Sequence, residues 1–191
     1  TDSSIDLEEF CDRVARLPLA YEPGTSWRYS VATDVCARLV EVLSGQTFDE
    51  FLQQRIFAPL DMPDTGFWVP PEKTERFITQ YAPTDFFDPM KPGLVKVDDP
   101  VNGQYNTLRP LLSGGGGLVS TVADYVHFLQ MIVGGGERGD VRLLKASTLK
   151  EMRKNQLAPG VHVAFPMWAM PGTTFGLGFA LKETPQASEP A

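Results

Sequence analysis

Apolar residues recur at helical spacing in several stretches of this chain, and each stretch breaks off at a glycine or a proline. Leu7, Phe10, Cys11, Val14 and Leu17 predict a first helix over 5–17, with cap oxygens from Asp2 to Ser4, acids Asp6, Glu8 and Glu9 in its first turn, and Pro18 as its stop. Val35, Leu39, Val42 and Leu43 mark one side of a second helix from Ala32, closed by Gly45, and this side is expected to turn into the helical core. Thr47-Phe48-Asp49-Glu50 reads as a capping box opening a third helix that runs to Phe57 and halts before Pro59. Further on, Thr121 to Asp124 caps a helix over 122–133 that ends at Gly134-Gly135-Gly136, and 143–155 predicts a last helix. Large residues alternate over Phe175 to Leu181, the pattern of a strand.

Between residues 68 and 112 repeated prolines forbid long regular elements, although 94–97 suits a short strand before an Asp-Pro turn. Phe77, Ile78, Tyr81, Phe86 and Phe87 make this region too apolar for a solvated tether, so an ordered loop region is expected. The chain divides accordingly into a helical block at 1–67, a loop-rich region at 68–112 and a segment of helices with the start of a sheet at 113–191, all within a single lobe. The expected fold class is mainly α with a few short strands.

Composition narrows the partners. At 191 residues and 42% hydrophobic content, one sizeable core is possible. A net charge of −7, with none of the 17 basic residues in a run, argues against nucleic acid. No apolar run reaches the length of a membrane span, and the compartment stays open. Cys11 and Cys36 fall in apolar helical patterns as small buried hydrophobes. His127 and His162 stand apart from other ligand-type residues, so neither a metal nor a cofactor is expected.

Three patterns imitate functional motifs. Ser147-Thr148-Leu149-Lys150 matches Ser-x-x-Lys, but Ser147 sits where an N-cap serine belongs. Lys91-Pro92-Gly93 imitates Lys-x-Gly, yet its proline cannot donate to a strand ladder, so a turn is expected. The run Gly114 to Gly117 lacks the Gly-Lys-Ser/Thr of a phosphate loop and reads as a close approach of backbones.

The richest stretch is Glu22-Pro23-Gly24-Thr25-Ser26-Trp27-Arg28-Tyr29-Ser30-Val31, leading directly into the second helix. Together with the segments 56–67, 113–121 and 175–179, it resembles the serine beta-lactamase, penicillin-binding protein and family VIII esterase superfamily, and the likeness covers nearly the whole chain. The resemblance implies that this piece is the helical lobe of an α+β beta-lactamase/transpeptidase-like fold whose sheet domain is largely missing. It also implies acyl-enzyme chemistry on a small-molecule ester, beta-lactam or related amide, with Tyr29 moving a proton to or from the nucleophile or leaving group. A phenol needs neighbouring cations for that role, because its ordinary pKa is about 10. Beta-lactamases of the superfamily usually carry Asn where this chain has Val31; an apolar side chain there tilts substrate binding toward esters.

In the superfamily a Ser-x-x-Lys nucleophile precedes the Tyr and a Lys-Thr-Gly or His-x-Gly strand follows it. The chain is therefore expected to be a middle piece of a longer serine hydrolase, inactive without the remaining segments of that protein. A non-catalytic binding module on the same fold is the alternative. Trp27, Trp68, Tyr81, Phe86, Phe87, Tyr105 and Trp168 are candidates for lining a substrate cleft, or for core packing.

Overall fold

The computed structural model describes residues 4–85, 87–88, 90–164 and 170–182. Five α-helices carry most of its regular structure: α1 (Leu7–Ala15), α2 (Ala32–Ser44), α3 (Phe48–Leu52), α4 (Val122–Val133) and α5 (Ala146–Met152). Three antiparallel two-stranded sheets accompany them: β1 (Gln80–Pro83) with β2 (Leu94–Asp98), β3 (Glu137–Arg138) with β4 (Val141–Arg142), and β5 (Thr173–Phe175) with β6 (Ala180–Lys182). The mainly helical expectation holds.

Helix α1 is shorter than its apolar pattern suggested. Asp6, rather than the residues before it, is the N-cap; its Oδ1 accepts the Glu9 N–H at 2.9 Å. The helix ends at Ala15 because a proline disfavours helical backbone in the residue before it, which takes Leu17 out of the helix and leaves it exposed. Asp2 and Ser3 lie outside the described residues. Helix α2 ends as expected, with Gly45 at φ 70°, a left-handed cap that glycine takes without a Cβ penalty. Glu50 accepts the Thr47 N–H at 3.2 Å in the predicted capping box of α3, and one π-helical turn, Gln53–Phe57, extends that helix to the expected end.

The exposed side of α2 is a correction. Val35, Leu39 and Val42 are 43%, 54% and 61% exposed, while Asp34 and Ala37 are buried. The neighbours of α2 explain the inversion. Ala37 and Asp34 meet the backbone of the glycine run, Arg38 pairs with Glu8 of α1, and Glu41 accepts the Phe48 N–H at the start of α3. The helix thus turns its small and hydrogen-bonding side inward, since that side matches what lies opposite. Cys36 is exposed on the same helix, against expectation, whereas Cys11 packs half-buried against the core.

Two apolar cores result. The first joins Ile5, Leu7 and Phe10 to Ala37, Phe67, Leu111 and Leu112; the second joins Phe57, Leu60, Met62 and Met131. A reciprocal bridge between Gly66 and Val119, with N–H donations of 3.1 and 2.8 Å, holds the segment after the second core against the segment before α4.

The loop-rich region contains a hairpin. The strand expected at 94–97 is β2, and its partner β1 had no clear signal of its own. Lys91 and Gly93 lie in the connection, Gly93 at φ 113°, so the Lys-x-Gly imitation is a turn as expected. Phe77 packs edge-on against Tyr105, but Ile78, Tyr81 and Phe87 are exposed. Helix α4 starts at the predicted Thr121 cap, whose hydroxyl accepts the Asp124 N–H.

The last helix is shorter than expected, and Ser147 is not its N-cap. Lys145 holds that position, leaving Ser147 and Lys150 exposed on a short helix whose Leu149 is fully buried. The predicted strand at 175–181 is instead a hairpin, because Gly178 at φ 83° reverses the chain between β5 and β6.

The glycine run makes the close approach foreseen for it. A Cβ on Gly114 would lie 2.3 Å from the Thr33 carbonyl oxygen and 3.0 Å from the Ala37 Cβ, whereas one on Gly116 would meet open space. Gly114→Ala is therefore expected to destabilise the protein by about 1–3 kcal/mol through overpacking. Gly116→Ala is expected to change stability by less than about 1 kcal/mol. Urea unfolding of the pair checks both values.

Candidate active site

The approach to α2 begins with a turn that its residues dictate. Pro23 sets φ for the second position, Gly24 takes φ 83° at the third, and the Thr25 N–H returns to the Glu22 carbonyl at 3.1 Å. The Thr25 hydroxyl donates to the same carbonyl at 2.7 Å. Beyond this turn, Trp27 packs on Phe175 of β5 with ring centroids 4.9 Å apart. Tyr29 follows, 59% exposed, and Val31 takes the N-cap position of α2. The Val31 carbonyl accepts from Asp34 and Val35, and its side chain packs against the first core.

Asp34 ties this entrance to the glycine run. Its Oδ1 accepts the Ser113 hydroxyl at 2.6 Å and the Gly115 N–H at 3.4 Å, across 79 and 81 positions of sequence. Only 7% of the residue is exposed, so these donors replace water that the carboxyl group has lost. The α2 entrance and the loop at 113–117 therefore form one unit. Asp34 has no signal of its own in the sequence, and Ser113 figures there only as the start of the segment 113–121, so nothing local pairs the two.

Two cavities share Phe67 in their walls, and the smaller one adjoins this unit. One, of about 300 Å³, lies beside the glycine run, with Tyr105 and Arg109 in its wall. The other, of about 430 Å³, lies between the start of α3 and the segment 63–77, over Phe57, Phe67 and Trp68. Neither cavity is lined by Tyr29 or Val31. Of the other aromatic candidates, Trp68 and Tyr105 line a cavity, Tyr81 and Phe87 are exposed, and Phe86 and Trp168 lie outside the described residues.

The larger cavity has a pinned rim. Asp64 bridges Lys73 Nζ at 2.8 Å and Arg76 Nη2 at 2.6 Å, while Lys73 also donates to the Pro63 carbonyl. The Arg76 and Lys73 hydrogen bonds hold the Asp64 carboxyl down at about 2. Behind it, buried Asp124 accepts the Asp64 N–H and the Thr65 hydroxyl, both at 2.8 Å. Among the described residues no cluster of three or more His, Cys, Asp or Glu is arranged to hold a metal ion. His127 is engaged through Nδ1 with the Asp61 carbonyl at 2.8 Å, and His162 is exposed on a loop. No helix among the described residues is long and apolar enough to cross a membrane.

Comparison with known proteins agrees with this architecture. A family model described as Beta-lactamase matches residues 1–189. A protein of Mycobacterium tuberculosis is 30% identical over 181 residues, covering 93% of this chain and 43% of the relative. A lovastatin esterase of Penicillium rubens is 32% identical over 142 residues, covering 74% of this chain and 34% of the relative. The chain thus spans less than half the length of these curated relatives. Among solved structures, EstCE1, described as a hydrolase with promiscuous acyltransferase activity, superposes with a TM-score of 0.72 at 24% identity, covering 95% of this chain and 47% of that one. That likeness is one of fold.

The Asp64 bridge has a consequence in acid. A carboxyl group whose folded pKa lies below its unfolded value contributes stability that is complete above the unfolded pKa and is lost as pH falls through the folded one. Stability is therefore expected to decline between about pH 4 and about pH 2 as Asp64 protonates. Asp64→Asn is expected to flatten that part of the profile, checked by urea midpoints measured across the range.

Proposed function

We propose that this chain, which belongs to the beta-lactamase family, is part of a longer serine hydrolase that forms an acyl-enzyme on esters or related amides, with Tyr29 as its proton-transfer residue. The observation that carries the proposal is the presentation of Tyr29. A turn fixed by Pro23 and Gly24 precedes it, Trp27 is anchored on Phe175, and α2 behind it is held by the buried Asp34. An exposed phenol on an entrance anchored from both sides suits a group that must meet a substrate without wandering.

The nucleophile and the cations that would tune Tyr29 are assigned to further segments of the longer protein. The curated relatives are more than twice as long as the matched region, which supports this assignment. So does the uncovered stripe Val35, Leu39 and Val42 on α2, which we assign to contact with those segments. Ser147 is not assigned as a substitute nucleophile, because it is exposed on α5 and lines neither cavity.

Ester substrates are favoured because a similar protein is a lovastatin esterase. The case from Val31 is thinner than the residue type alone implied, since part of that side chain serves the core.

In the full-length protein, Tyr29→Phe is expected to lower the acyl-transfer rate by about 10²–10⁴-fold with little change in stability. Hydrolysis of p-nitrophenyl esters and a chromogenic cephalosporin measures it; an unchanged rate removes Tyr29 from the chemistry. The 191-residue chain alone is expected to turn over neither substrate. Turnover by the isolated chain that Ser147→Ala abolishes would overturn the assignment of the nucleophile to other segments. If the longer protein lacks a nucleophilic serine, a binding module remains. Val31→Asn is expected to raise the ratio of beta-lactam to ester kcat/KM, and a ratio that does not rise removes Val31 from substrate selection.

A further inference from the structure

The smaller cavity has an unusual charge balance for so acidic a chain. With 24 acids against 17 bases overall, its lining still contains one cation, Arg109, and no acid. The larger cavity differs, since Asp64 already occupies Lys73 and Arg76 there.

Arg109 is oriented from behind. Its Nε donates to the Gln104 carbonyl at 3.2 Å, and the Gln104 N–H in turn donates to the buried Asp98 at 2.9 Å. Fixing Nε leaves the four N–H groups of the two terminal nitrogens, the geometry that takes a carboxylate through two parallel bonds. Among the described residues no carboxylate pairs with this guanidinium.

The remaining walls supply an apolar seat and further donor capacity. Phe67 and Leu111, both buried, line the cavity. The Tyr105 hydroxyl donates to the Gly116 carbonyl at 3.4 Å, a long bond that an anion can draw away. Burial raises the Tyr105 pKa, with Asp98 adding to the effect, so this hydroxyl remains a donor. At Gly116 the chain faces open space, which allows a ligand to approach the backbone.

We propose that this cavity binds a small organic carboxylate, its charged end clamped by the terminal nitrogens of Arg109 and its apolar body resting on Phe67 and Leu111. A volume of about 300 Å³ is at the lower end for small-molecule sites, which fits a single-ring acid. The site stands on its own geometry and does not depend on the hydrolase assignment. The carboxylate belongs either to a free acid or to the acid-bearing part of an ester substrate.

Benzoate and its neutral isostere benzamide are the probes, titrated into the full-length protein labelled with ¹⁵N-glycine. Benzoate is expected to shift the Gly116 and Gly117 resonances saturably, and benzamide to bind about tenfold more weakly or not at all. Arg109→Gln is expected to weaken benzoate by about tenfold or more. Gly116→Asp, which puts a carboxylate into the open space, is expected to abolish binding while Gly116→Ala retains it. Competition between benzoate and ester turnover identifies a substrate carboxylate, and binding without competition identifies a free acid. Equal binding of benzoate and benzamide, no response at Gly116 and Gly117, or unchanged affinity in Arg109→Gln would each overturn the proposal.

Discussion

The architecture around the candidate active site depends on one contact, the backbone of residues 113–117 lying against the first turns of α2. Two features permit it. Gly114 has no Cβ to strike the Thr33 carbonyl, and Asp34 accepts the Ser113 hydroxyl and the Gly115 N–H within the contact. A larger residue would push the backbones apart, and a missing carboxyl would leave the Ser113 hydroxyl without its acceptor and the Gly115 N–H with the Ser113 Oγ alone. With both in place, α2 is fixed at its N-terminal end, where Tyr29 enters. The same loop carries Gly117 over Phe67 and so shapes the smaller cavity.

A second buried acid repeats the device. Asp124 caps no helix itself, since Thr121 does that for α4, but reaches across to the Asp64 N–H and the Thr65 hydroxyl. Asp64, thus placed, collects Lys73 and Arg76 at the rim of the larger cavity. Proline-rich backbone between 63 and 77 closes only one short 3-10 helix, Pro71–Arg76, so side-chain acceptors, the Gly66–Val119 bridge and the Val69 N–H donating to the Tyr105 carbonyl give the rest a fixed path. The loops here are ordered by a few buried polar contacts, each of which removes a specific unsatisfied donor.

For a member of the beta-lactamase family, this division of labour suits the chemistry proposed. The apolar cores hold α1 and α4, and the polar clamps position the segments that border open space. Tyr29 sits between a turn and a helix with one residue separating it from each anchor, Trp27 on one side and Val31 on the other. Backbone freedom lost in such an entrance need not be lost again when a substrate arrives.

Local chemistry determined much of this protein. The Pro23-Gly24 turn, the Thr47 and Thr121 helix starts and the Gly45 stop all follow from residues within a few positions of one another, because caps and turns are satisfied by near neighbours. The motif around Tyr29 carried the family, which the match over residues 1–189 bears out. Only the tertiary structure decided which side of α2 is buried. A periodic apolar stripe announces that a face seeks cover without saying what lies opposite, and here the inward side belongs to Asp34 and Ala37 because glycine backbone and helix termini face them. Tertiary structure alone also brought Asp34 to Ser113 and Asp64 to Arg76. Hydrogen bonds and cavities between distant segments depend on where the chain returns, and no spacing along the sequence records that return.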